Sequence, residues 1–166
     1  MKKKSNNYLW GILIGLVVLI GIAVFSSSAA LIDPIEDAEL TISDMTWDFG
    51  DIPMSEGVAT QSISLTNDTD QTITVTGMET SCMCTTAQIV HADGSKSGLK
   101  GMVGHGGSSN LSETIQAGEV ATLFVNFDPN AHGPSATGPI TRNVMLRTNS
   151  QSQPVIELTF SGNVIK

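Results

Sequence analysis

The chain has 166 residues, a formal net charge of −8, and sixteen acids against eight bases. Three of those bases are Lys2, Lys3 and Lys4, so Lys96, Lys100, Arg142, Arg147 and Lys166 are all that oppose the acids in the remainder. Such a balance argues against nucleic acid as a partner and against docking on anionic lipid, and the length suits one domain behind an N-terminal head.

Residues 1–7 form a basic head, and Tyr8 to Phe25 is an uncharged apolar run of 18 residues. A helix of roughly 17–25 apolar residues crosses a bilayer, so residues 8–25 are expected to be a transmembrane anchor. The lysines should stay cytoplasmic and place everything beyond the run outside, with Tyr8 and Trp10 at the inner interface. Ser26 to Ala30 are small residues suited to a signal peptidase, and cleavage there would release the domain as a secreted protein. The run is nevertheless longer than a signal h-region of roughly 7–15 residues. Residues 26–38 read as an acidic, small-residue linker. From Asp33 to Glu56 there are eight acids and no base, the pattern of a solvated tether. No calcium-loop spacing occurs there.

Residues 39–166 carry short runs rich in Val, Ile, Thr and Phe, without sustained helical periodicity. Strands are expected at Glu39–Ser43, Val58–Thr66, Gln71–Met78, Cys82–Val90, Glu119–Phe127, Thr141–Thr148 and Val155–Val164, with Thr46-Trp47-Asp48-Phe49 following the first of them. The turns between them are written in Gly50-Asp51-Ile52-Pro53, Asn67-Asp68-Thr69-Asp70 and Asp128-Pro129-Asn130, where Asn and Asp bond their own backbone. The spacing predicts an immunoglobulin-like antiparallel β-sandwich of about seven strands. Trp47 and Phe49 read as core anchors. The antibody Cys…Trp…Cys pattern is absent. Residues 91–113 hold six glycines and five serines, and this insertion is expected to be an irregular loop. A second loop spans Pro129 to Pro139.

Cys82 and Cys84 are the only cysteines. On a strand, residues two apart share a face at about 6.6 Å, the far edge of the roughly 4.4–6.8 Å that a disulfide bridges. Three chemistries stay open for the pair: a structural disulfide, a reversible redox couple and a soft-metal site. Cu(I) is the one candidate cofactor, with Cys82, Cys84, Met102 and His105 as ligands and Met83, His91 and His132 as second choices. Zinc lacks a His-x-x-x-His or a second Cys pair. No nucleophile elbow, phosphate loop, zincin motif or dinucleotide fingerprint occurs, so an enzyme is not expected. Asn67 and Asn110 head glycosylation sequons.

Trp47-Asp48-Phe49-Gly50-Asp51-Ile52, Asn67, Ser81-Cys82-Met83-Cys84-Thr85, Gly118-Glu119, Phe127-Asp128-Pro129, Gly133, Thr148-Asn149 and Leu158-Thr159-Phe160-Ser161-Gly162 follow one another in a familiar order. Together they resemble the bacterial family known as domain of unknown function 1573, over about Met45 to Val164. The resemblance implies an immunoglobulin-like sandwich related to major sperm protein type domains, serving in binding and scaffolding. Met83 stands where that family has glycine, and the insertion directly follows the motif. The expectation is a single-pass protein of a bacterial cell membrane, tethered through residues 8–25. Its outer domain would bind a protein partner without catalysis. A Cu(I)-binding envelope protein is the alternative, and a thiol-disulfide protein the third reading.

Overall fold

In the computed structural model, residues 32–105 and 107–166 are described. The basic head, the apolar run 8–25 and the linker as far as residue 31 lie outside them. Among the described residues no helix is long and apolar enough to cross a membrane.

Alternation of apolar and polar residues lets each strand bury one face. The strands are β1 Thr41–Ile42, β2 Thr46–Pro53, β3 Ala59–Thr66, β4 Ile73–Thr80, β5 Thr85–Val90, β6 Asn110–Ile115, β7 Val120–Phe127, β8 Gly138–Thr148 and β9 Val155–Ile165, with one 3-10 turn at Met54–Glu56. They form a four-stranded sheet ordered β1-β3-β7-β5 and a five-stranded sheet ordered β2-β9-β8-β4-β6. The all-β sandwich thus has nine strands among the described residues rather than about seven.

Three differences from the sequence expectation have physical reasons. β2 runs parallel to β9, so the second sheet is mixed and not wholly antiparallel. The two strands are separated by nearly the whole domain, so no hairpin forces them to run oppositely. β6 begins in the insertion 91–113, runs two residues past its end and pairs antiparallel with β4. Its Asn, Ser, Glu and Thr residues mask a strand whose anchor is the fully buried Ile115. Cys82 to Cys84 form a turn between β4 and β5, not the start of a strand.

Residues 96–100 of the insertion are also tied down. Ala87 and Lys100 exchange backbone hydrogen bonds of 2.8 and 2.9 Å, and the Ser97 amide bonds the Ile89 carbonyl. This lays residues 96–100 along the outer edge of β5, whose ladder groups would otherwise be unpaired. Residues 33–40 likewise lie on the domain. Ile35 and Gln151 bond through their backbones, Leu40 is held on both backbone groups by the Gln153 side chain, and Ser150 Oγ donates to the Ala38 carbonyl.

Ile63, Leu65, Leu123 and Val125 from one sheet meet Ile73, Val75, Leu146 and Leu158 from the other in a fully buried core. Phe160 anchors its end. Trp47 stacks on it at 5.2 Å, while Phe49 and Phe127 meet it edge-on at 5.4 and 5.8 Å. Asn67, the turn asparagine, is buried and donates to the carbonyls of Gln71 and Ile115 at 2.8 Å, so it is no glycosylation acceptor.

Candidate functional site

β4 ends at Thr80 and β5 begins at Thr85, so the chain must cross between the sheets within four residues. Thr80 holds that turn closed. Its buried hydroxyl is shared between the carbonyls of Cys82, at 3.0 Å, and Thr85, at 2.9 Å. The Thr85 amide bonds the Cys82 carbonyl, and the Asp128 amide bonds that of Cys84. The turn draws the Cα atoms of Cys82 and Cys84 to 5.2 Å, and the two residues are joined as a disulfide. An extended strand would have held them farther apart.

Both sulfurs are met by a nitrogen donor. Disulfide sulfur can only accept, so His132 Nε2–H donates to Cys82 Sγ at 3.2 Å. Arg142 Nε–H reaches Cys84 Sγ at 3.4 Å, with the Thr85 hydroxyl at 3.7 Å. Cys84 is the more enclosed residue, Met83 is half-exposed at the tip, and His132 is exposed. The bridge closes a ring across one intervening residue. By the chain-entropy relation so short a ring adds about 1.5 kcal/mol to stability, roughly half of what a 15-residue loop gives. The disulfide is therefore a weak staple.

His132 and Arg142 also border a cleft of about 310 Å³ lined by Phe127, Pro129, Ala136, Ile140 and Val164. The loop after β7 supplies His132, and β8 supplies Arg142. That loop is shaped by Gly133, which takes a positive φ of 85° directly after the histidine.

Among the described residues, Cys82, Cys84 and His132 form a cluster whose donor atoms lie within 4.8 Å of one another. His105 is exposed and outside that cluster, and Met102 is half-buried in the insertion. Gly101, next to Met102, accepts a hydrogen bond from the Thr80 amide, so the insertion does pass beside the cysteine turn. Arg142 was not among the residues the sequence singled out. Its signal is faint, since it sits in a strand with polar neighbours and meets Cys84 only through folding.

His91 belongs to a separate place. Its Nδ1 meets Glu119 at 2.7 Å and its Nε2 meets Glu113 at 3.2 Å. Burial pulls its pKa down, but the hydrogen bonds and charges of Glu119 and Glu113 outweigh burial and raise it above the ordinary histidine value. The carboxylates flank opposite ring nitrogens, which makes a clamp and not a converging ligand set.

Residues 40–103 match the family model described as protein of unknown function (DUF1573). The DUF1573 match takes in β1 to β5 with the Cys-x-Cys turn and ends short of β6. No curated protein matches the chain. Among solved structures, a protein of unknown function from Porphyromonas gingivalis W83 is similar at 13% identity with a TM-score of 0.56. The likeness covers 82% of this chain and 51% of that one, so the chain spans about half the length of that relative. The ASH / PapD-like domain 7 of human CEP192 is similar at 12% identity, with a TM-score of 0.48, over 84% of this chain and 96% of that one. WR4, a C. elegans MSP family member, gives 7% identity and a TM-score of 0.35, covering 77% and 99%. The Porphyromonas gingivalis likeness, at 13% identity, speaks to the fold alone.

Proposed function

We propose that the protein is a non-catalytic, immunoglobulin-like binding module of the cell envelope, anchored through residues 8–25, that presents its Cys82–Cys84 end to a partner protein. The observation that carries this reading is the cleft beside the disulfide. Its floor is apolar, through Phe127, Ile140 and Val164, and its rim carries His132 and Arg142. A concave apolar surface with a few convergent polar groups is the usual form of a recognition site. The absence of catalytic motifs in the sequence and the scaffold role implied by the family resemblance support the same reading. The acidic surface disfavours nucleic acid.

The test places a photo-crosslinking residue at Thr137, on the cleft, and in a second chain at Gln61, on β3. A discrete crosslinked product at Thr137 and none at Gln61 is the expected result. Equal products at both positions would reject the cleft as the contact surface.

A second reading, Cu(I) binding, is favoured by the clustering of Cys82, Cys84 and His132. Reduction would free two thiolates beside an imidazole, a soft donor set. His132 here replaces His105 as the nearest imidazole. Anaerobic Cu(I) titration of the reduced chain should then give one tightly held equivalent, weakened by His132→Ala and unaffected by His105→Ala. Retention of no copper would end this reading.

A further inference from the structure

We infer that the Cys82–Cys84 disulfide is an exchangeable one that accepts two electrons from a dithiol, with Arg142 and His132 as positioning residues. This goes beyond the binding reading, because exchange with a small dithiol needs no protein partner.

Three observations converge. A bridge across one residue contributes little to holding the fold, so stability alone does not explain it. Each sulfur faces a side-chain nitrogen donor, His132 on Cys82 and the charged Arg142 on Cys84, placed where a thiolate would form. And a cleft is bordered by both donors, His132 and Arg142, while Cys82, at 8% exposed, is the cysteine nearer to solvent.

The geometry also assigns the order of events. Cys82 is the less enclosed of the two residues, 8% exposed against 2% for Cys84, which makes its sulfur the one an external thiolate attacks. A bond forms from the incoming sulfur to Cys82 Sγ as the Cys82–Cys84 bond breaks. The bonding pair leaves on Cys84 Sγ, where the Arg142 guanidinium, permanently charged, faces the new thiolate. A more stable leaving thiolate speeds this step. The second thiolate of the dithiol then attacks the first dithiol sulfur and expels Cys82, whose thiolate accepts a hydrogen bond from His132. The dithiol becomes a cyclic disulfide, the cystine becomes two cysteines, and the two protons lost by the dithiol pass to the new thiols or to solvent. One equivalent is consumed per chain.

The experiment uses the full chain without denaturant and dithiothreitol as the dithiol, and follows free thiols with time. Native chain should release two thiols, while the Cys82→Ser/Cys84→Ser chain releases none. Arg142→Met should slow reduction roughly tenfold, equivalent to about 1.4 kcal/mol. Arg142→Lys should recover part of the rate, since it restores charge without the planar fork. His132→Gln, which alters the donor on the attacked sulfur, should shift the pH at which the reduced chain shows thiolate absorbance. A melting curve for each variant separates lost folding from lost exchange, and the lysine and glutamine variants decide if the methionine variant does not fold. A native chain that releases thiols only when denatured overturns the inference. So does an unchanged rate in both arginine variants.

Discussion

His91 is held between Glu113 and Glu119 with only 12% of its side chain exposed, so its protonation state is coupled to the fold. Asp93, whose carboxyl is held low by hydrogen bonds from Ser95, and Lys96 line the same hollow. The folded-state pKa of His91 is raised, so the folded chain binds its proton more tightly than the unfolded chain does. The resulting stability is complete below the unfolded value of about 6.5 and is lost as pH rises through the folded value. His91→Gln should therefore cost about 1.5–3 kcal/mol in urea unfolding at about pH 5.5 and clearly less at about pH 9. An equal cost at both pH values would mean that the charge on the ring contributes nothing. The cystine belongs to the same scale. Cys82→Ser/Cys84→Ser should lower stability by less than about 2 kcal/mol, because the ring it closes is so short. A loss above about 4 kcal/mol would make the bridge a structural staple after all.

At the scale of elements, the insertion is two things in one stretch: a cover for the edge of β5 and a ninth strand. Ile115 is fully buried between the sheets, whereas Val103 is exposed. Ile115→Ala should cost about 2–5 kcal/mol and Val103→Ala less than about 0.5 kcal/mol, read from urea midpoints. Similar small costs would return the segment to an irregular loop. The strands with strong alternation, β3, β7 and β9, are legible in the sequence: β7 and β9 bury every second residue, and β3 does so at Ile63 and Leu65. β6 is not legible, because one isoleucine and one leucine among polar residues give too weak a period. The sequence puts the cysteine turn on a strand for a related reason. Thr85 to Val90 alternate well, and nothing in Ser81-Cys82-Met83-Cys84 announces that Thr80 will close a turn over them. The candidate site was half legible: the cysteines were evident, His132 ranked low, and Arg142 became visible only once β8 lay beside the turn. Pairings between distant segments leave no local mark.

For the whole molecule, the buried apolar side chains run from Ala38 to Val164, and residues 33–166 form one compact unit. The core thus begins earlier than a solvated tether from Asp33 would imply. Ala38 and Leu40 are buried, and Gln153, Ser150 and Asn149 fasten the segment through its backbone. Two truncations separate tether from fold. A chain beginning at Asp33 retains every one of these contacts and should unfold in a single transition, its Tm within about 4 °C of the full chain. A chain beginning at Ser43 loses β1, the buried Leu40 side chain and the bonds to Gln153 and Asn149. Losing the leucine alone should cost about 2–5 kcal/mol, and exposing the Leu65 end of β3 adds to it. Its Tm should therefore fall by about 10 °C or more, a shift that circular dichroism melting resolves easily. If the two truncations melt together, residues 33–42 are a tether resting on the surface. If only the shorter chain falls, they are part of the sandwich, and the acidic run marks the outer face of its first strands.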